Sequence, residues 1–234
     1  MDVILFDLDG TLVDSTEPIL SSINASLTRH GLATIERTEI SRFIGPPLRQ
    51  VLSELVAESG NDHRLVDPLI ETYRGVYAAA SIDLALAYPG IHALFDRMAG
   101  RARLGVVTSK PRRFAVPILE TLALSPYLEL IEGPRSGEDE EKPVTLARAL
   151  AALGLGAGRE GVWMIGDRHH DMRAGRALGV GSIGVTWGFG TASELEAAGA
   201  DHLVDRPDQL VPPATPGRPP VLDRPQGDGR VAPL

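Results

Sequence analysis

Two carboxylates, Asp7 and Asp9, stand one residue apart after the apolar run Val3 to Phe6 and just before Gly10 and Thr11. Strand interiors disfavour aspartate, and carboxylates a few ångströms apart repel unless a cation or a shared proton relieves them. A hard, oxygen-ligated cation such as Mg²⁺ would do so, since it needs only one or two carboxylates and keeps coordination sites for water and phosphate oxygens. A second acidic cluster repeats the arrangement: Val162 to Ile165 leads into Gly166, Asp167 and, around a helix start, Asp171. If both runs are parallel strands, their carboxyl ends share the sheet edge where open α/β sheets bind ligands. Asp7 and Asp167 are therefore expected to converge on one cation.

Other polar residues are expected at the same edge. The stretch GVVTSKP brings Thr108, Ser109 and Lys110 to a strand end, where hydroxyls and helix-start N–H groups form an anion site, although a helix cap by Thr108 or Ser109 accounts for them equally well. Lys142 follows the acidic run Glu138 to Glu141 and opens a helix at Pro143. A cation there opposes the helix dipole, which suits neutralising a bound phosphate; pairing with its acidic neighbours is the plainer alternative. Gly10 permits a sharp turn or a close backbone approach. Arg49, after Gly45-Pro46-Pro47, is a candidate for the far end of a substrate, because a guanidinium suits carboxylate and phosphate forks. His169 and His170 read as exposed loop imidazoles, since adjacent residues rarely aim at one ion.

The elements that must position these groups follow from the pattern of apolar runs. Val3 to Phe6, Leu104 to Val107, Leu128 to Ile131, Val162 to Ile165 and Ser182 to Val185 read as strands, separated by amphipathic stretches at Arg113 to Leu124, Val144 to Leu155 and Asp171 to Leu178. That alternation predicts an α/β fold, a doubly wound, Rossmann-like parallel sheet. From Asp14 to about Tyr88 only helical patterns occur, too long for a loop and better read as an inserted helical domain, its first helix capped by Ser15. The predicted organisation is a core of residues 1–14 and 88–211, a helical domain of residues 15–87, and a tail of residues 212–234. Seven prolines and three glycines among the 23 tail residues predict disorder.

The whole chain limits the classes of function. It has 234 residues, 43% of them hydrophobic, which is enough for a sizeable core. A net charge of −8 argues against a general nucleic-acid binder, so an anionic substrate needs a local patch or a metal. There is no cysteine, which excludes disulfides and thiolate metal sites. Met1 and Asp2 lead straight into Val3 to Phe6 without the basic and long apolar regions of a secretory signal, and no window is apolar enough to span a membrane. A cytoplasmic protein with no nucleic-acid or membrane partner is expected, as a monomer or homodimer.

Taken in chain order, Asp7-Leu8-Asp9-Gly10-Thr11, Thr108, Lys142 and Gly166-Asp167 through Asp171 resemble the four motifs of the haloacid dehalogenase superfamily of phosphohydrolases. The helical insertion resembles its C1-type cap, and TSKPRRFAVPILETL and FIGPPLRQVL resemble the phosphoglycolate-phosphatase-like branch. The resemblance implies that Asp7 is a nucleophile forming an aspartyl phosphate and that Asp9 is the general acid and base. It implies Mg²⁺ on the Asp7 carboxylate, the Asp9 backbone carbonyl and Asp167, with Asp171 supporting the metal waters or Lys142. Thr108 and Lys142 would grip phosphoryl oxygens, beside Gly10 and Ser109, while Arg49 and Lys110 would contribute to substrate choice. The implied substrate is a small phosphorylated metabolite, phosphoglycolate first, with a nucleoside monophosphate or pyrophosphate close behind. A β-phosphoglucomutase-like phosphomutase is the enzymatic rival, and a receiver-like phospho-acceptor module the non-enzymatic one. Val144-Thr145 follows Lys142-Pro143 where phosphoglycolate phosphatases commonly have Lys-Pro-x-Pro, which leaves the substrate open.

Overall fold

A computed structural model describes residues 1–44, 46, 48–135, 140–156, 159–211 and 219–221. Strand β1 (Val3–Phe6) is buried at all four positions, which is why it reads as a continuous apolar run rather than an alternation. A tight turn leads to the two-residue β2 (Val13–Asp14), which pairs antiparallel with β3 (Leu86–Ala87). Between them lie helices α1 (Thr16–Arg29), α2 (Leu48–Glu58) and α3 (Val66–Asp83), with a short 3₁₀ segment at Arg37–Phe43. The remaining strands are β4 (Arg103–Val107), β5 (Leu130–Glu132), β6 (Val162–Gly166), β7 (Gly181–Val185) and β8 (His202–Val204). With β1 they form one parallel sheet of six strands ordered β5-β4-β1-β6-β7-β8. Helices α4 (Ile91–Met98), α5 (Arg112–Thr121), α6 (Lys142–Ala152), α7 (His169–Leu178) and α8 (Ala192–Ala197) flank it.

The expected α/β class and the five expected strands are present; β8, α4, α8 and the β2–β3 pair were not anticipated. Three residues of β8 and two each of β2 and β3 are too few to show a period.

Two apolar clusters cover the sheet. One includes Ile4, Phe6, Phe95 and Ile118, the other Val3, Leu5, Leu146 and Met164, so successive β1 residues serve opposite faces. The helical segment has its own cluster around Ile23, Leu27, Leu52 and Leu69, and Phe114 and Phe189 from the sheet side pack against it. Ser15 precedes α1 but does not cap it: its hydroxyl donates to Asp9 Oδ1, while Asp14 Oδ1 accepts from Thr16 N at 3.0 Å. Local competition for a better acceptor explains the difference.

Of the tail, only Pro219 to Val221 are among the described residues: Val221 pairs antiparallel with Leu210 and packs against the sheet cluster, and Val211 N donates to Pro220 O at 2.9 Å. The expected disorder otherwise falls outside the described residues. Among those, no helix is long and apolar enough to cross a membrane.

Candidate active site

Sheet register assembles the site. Phe6 lies opposite both Val106 and Ile165, so Asp7, Thr108 and Asp167 leave the sheet at one edge. Beyond Asp7 the chain must turn at once, and Gly10 adopts φ +84° with its N–H donating to Val13 O at 2.9 Å. A Cβ there would sit 2.2 Å from Asp167 Oδ2, so no side chain fits. Gly10 thus makes the sharp turn and close approach expected of it, with its N–H committed to the turn.

Carboxylate oxygens of Asp7, Asp167 and Asp171 come within 4.8 Å of one another, all three residues buried. Asp167 is fixed at both oxygens, Oδ1 accepting from Thr11 Oγ1 at 3.2 Å and Oδ2 from Phe189 N at 2.9 Å. Lys142, the first residue of α6, lies buried with Nζ 2.8 Å from Asp7 Oδ1 and 2.5 Å from Asp171 Oδ1. Neither of those oxygens has an aligned hydrogen bond. The cation at the helix start therefore pairs with Asp7 and Asp171 of the acidic cluster; of the Glu138 to Glu141 run, only Glu140 and Glu141 are among the described residues. Asp171, expected in support, stands inside the cluster itself.

Electrostatics follow from burial. Burial pushes the Asp7 carboxyl up to about 7; the Asp171 and Asp9 charges add to this and Lys142 opposes it. Burial, then the Asp171 and Asp7 charges, hold Asp167 well above the usual carboxylate range. Burial pulls the Lys142 ammonium down, but Asp171 and Asp7 outweigh it and leave its pKa raised. Fully ionised, three carboxylates against one ammonium would leave two negative charges uncompensated in a buried space, which is why burial favours their protonated forms until a cation arrives. Together with the two oxygens lacking aligned hydrogen bonds, this deficit fits a divalent, oxygen-seeking cation.

Asp9 points its carboxylate elsewhere. Its Oδ1 accepts from Ser15 Oγ and from Lys110 Nζ, the latter at 2.7 Å. Lys110 Nζ also donates to the hydroxyl of Tyr77 in α3. Thr108 is buried, and its Oγ1 accepts from Lys110 N at 3.0 Å, bending the chain into the loop before α5. A cavity of about 420 Å³ opens over these groups, with Asp7, Asp9, Thr108, Ser109, Lys110 and Lys142 in its wall. Arg49 is not brought there: it pairs with Asp67 at 2.7 Å on the surface of the helical segment. Of the Gly45-Pro46-Pro47 turn before it, only Pro46 is among the described residues. His170 lines the cavity rather than lying free in solvent, its pKa pushed down to about 4 by burial and then by His169.

The sequence pattern of a haloacid dehalogenase-like hydrolase matches residues 4–185, which span every group just described in the acidic cluster. The chain belongs to that family. Among haloacid dehalogenase-like proteins it is 35% identical over 201 residues to a 5'-nucleotidase of Pseudomonas aeruginosa, covering 85% of this chain and 89% of that one. It is 29% identical over 213 residues to a phosphoglycolate phosphatase of Aquifex aeolicus, covering 90% of this chain and 95% of that one. The crystal structure of a predicted phosphatase from Clostridium acetobutylicum superposes with a TM-score of 0.80 at 33% identity, covering 89% of this chain and 95% of that one. This haloacid dehalogenase-like chain is thus a phosphatase of the phosphoglycolate-phosphatase-like branch.

Three contributors to this haloacid dehalogenase-like site, the Phe189 N–H, Trp187 and Tyr77, are absent from the sequence reading, and Thr11, though part of its first motif, has no role assigned there. Thr11 and the Phe189 N–H fix Asp167, and Trp187 Nε1 donates to Thr11 O at 3.0 Å. The glycines flanking Phe189 were the available signal: a Cβ at Gly188 would lie 2.3 Å from Gly10 O. Tyr77 gave no signal, being one apolar position of an amphipathic helix.

Proposed function

We propose that the chain is a Mg²⁺-dependent phosphomonoesterase that acts in the cytoplasm on a small phosphorylated metabolite through an aspartyl phosphate on Asp7. The observation that carries this reading is the buried Asp7–Asp167–Asp171 cluster with Lys142 against two of its members. Asp7 and Asp167 would hold the cation, with the Asp9 backbone carbonyl and the nearby Asp171 completing or supporting its environment. Bound there, Mg²⁺ supplies positive charge to the phosphoryl oxygens and to the Asp7 carboxylate.

The chain's own groups do the rest. Asp7 attacks phosphorus as the bond to the leaving oxygen breaks, and Asp9 gives that oxygen its proton. Asp9 Oδ1 is engaged by Ser15 and Lys110, which leaves Oδ2 to carry the proton. A water then attacks phosphorus, Asp9 takes its proton, and the bond to Asp7 breaks, releasing inorganic phosphate. Thr108, Ser109 and Lys142 steady the transferring oxygens. In this reading residues 1–14 and 88–211 form the catalytic core, and residues 15–87 form a cap that excludes bulk water.

Phosphate release over a panel of phosphomonoesters and pyrophosphate, with Mg²⁺ and with EDTA, tests the proposal. Activity should require the metal and vanish in Asp7→Asn, whose circular dichroism should match the wild type. Undiminished turnover in that variant refutes the nucleophile. Isomerisation of a sugar phosphate without phosphate release would replace the esterase with a mutase.

A further inference from the structure

Part of the cavity wall comes from one stretch of the helical segment: Phe43, Ile44, Pro46, Leu48 and Gln50, running from the end of the 3₁₀ segment into α2. A helix end leaves its last carbonyls without partners inside the helix, and an arginine can supply the missing donors. Here the donor comes from the sheet side. Arg168 Nη1 donates to Ser41 O at 3.3 Å and to Ile44 O, residues 127 and 124 positions away along the chain.

Arg168 is itself placed by the acidic cluster. It follows Asp167, its backbone N–H donates to Asp171 Oδ2 at 3.1 Å, and its Nε is held by Glu194. The side chain is only 14% exposed and passes Gly190, where a Cβ would come 3.4 Å from Arg168 Cδ. A second thread runs alongside: Phe189, whose N–H holds Asp167 Oδ2, packs its side chain against the apolar cluster of the helical segment. The carboxylates and the Phe43 to Gln50 wall therefore share their supports, although they belong to distant parts of the chain.

We infer that Arg168 is a positioning residue for the substrate: by holding the carbonyls of Ser41 and Ile44 it seats the Phe43 to Gln50 wall against the acidic cluster and so fixes the space a substrate enters. Its kinetic consequence rests on the phosphomonoesterase reading above; the clasp itself does not. Charge-assisted hydrogen bonds are roughly twice as strong as neutral ones, and a planar guanidinium holds several acceptors at once in a way that an ammonium does not. Arginine at this position is thus specific in shape as well as in charge.

The test compares amide hydrogen exchange and phosphate release in the full chain with Mg²⁺, for wild type, Arg168→Gln and Arg168→Lys. In Arg168→Gln, amides of residues 37–44 should exchange about tenfold faster, while those of α1, α3 and β1 stay within about twofold of wild type. KM should rise about tenfold with kcat within about threefold, the mark of binding lost equally from ground and transition states. Arg168→Lys, which keeps the charge without the fork, should fall between the two. Unchanged exchange in residues 37–44 removes the clasp, and faster exchange spread evenly over α1, α3 and β1 makes Arg168 a general stabiliser; either overturns the inference and leaves the esterase standing. An unchanged KM beside faster local exchange overturns the positioning role. Faster exchange confined to residues 37–44, with no ester hydrolysed by wild type, supports the clasp and removes the esterase.

Discussion

At the scale of residues, the buried charges set what solution conditions the site will tolerate. Asp7, with its carboxyl pushed up to about 7 by burial, is partly protonated at neutral pH before any cation arrives, and a bound proton competes with a metal. The sign is fixed: as pH rises through 7 the carboxylate ionises, and Mg²⁺ affinity should strengthen by up to about tenfold per pH unit before levelling off. Calorimetric titration of the metal between pH 6 and 8 checks this, and a flat affinity would remove Asp7 from the ligand set. Asp9 has a different task. Replacing it with asparagine should cost on the order of 10²- to 10⁴-fold in turnover, and a loss below tenfold would end its assignment as acid and base.

At the scale of elements, the start of α7 is tied to the rest of the molecule through one carboxylate. Glu194 Oε1 accepts from Arg168 Nε at 2.9 Å, His169 N at 3.0 Å and His169 Nδ1 at 2.7 Å. Arg168 in turn donates to the carbonyls of Ser41, at 3.3 Å, and Ile44 in the helical segment. Burial raises the Glu194 pKa, but these donors outweigh it and bring it from 4.5 to about 2. A carboxylate depressed on folding stabilises the fold above its unfolded pKa, and that contribution is lost as pH falls through the folded one. Glu194→Gln should therefore be less stable than wild type by about 2 kcal/mol at pH 7, a deficit that closes between pH 4.5 and about 2. Urea unfolding across that range measures it, and a deficit independent of pH would show that the charge is irrelevant.

The same scale explains what the amino-acid order could reveal. β1 and β6 are buried on both faces, so each appears as an apolar run, and the aspartates after them stand out because nothing in a strand favours them. Arg49 was misplaced because spacing within α2 says nothing of which flank of the helix turns to the sheet. The Lys110–Tyr77 contact joins residues 33 apart in different elements, and the Thr11–Asp167 bond joins residues 156 apart; only the folded sheet creates either.

For the molecule as a whole, the described end of the chain returns to the sheet. Arg97 Nη2 donates to Pro207 O at 3.2 Å and Leu210 O at 3.3 Å, and Val221 pairs with Leu210 and packs against the sheet cluster. Truncation after Val211 should leave kcat and KM within twofold of wild type while lowering Tm by a few degrees, since the lost pairing and burial are worth roughly 1 kcal/mol. A change in kcat measured well below Tm would show that the removed residues reach the chemistry.

The β2–β3 pair has a wider consequence. The polypeptide departs for the three-helix bundle and comes back along adjacent, hydrogen-bonded tracks, so the bundle is joined to its platform like a module in a single socket. Evolution or a protein engineer can swap such a module for another without rethreading the platform. The bond-breaking apparatus can then stay constant while the repertoire of molecules admitted to it diverges.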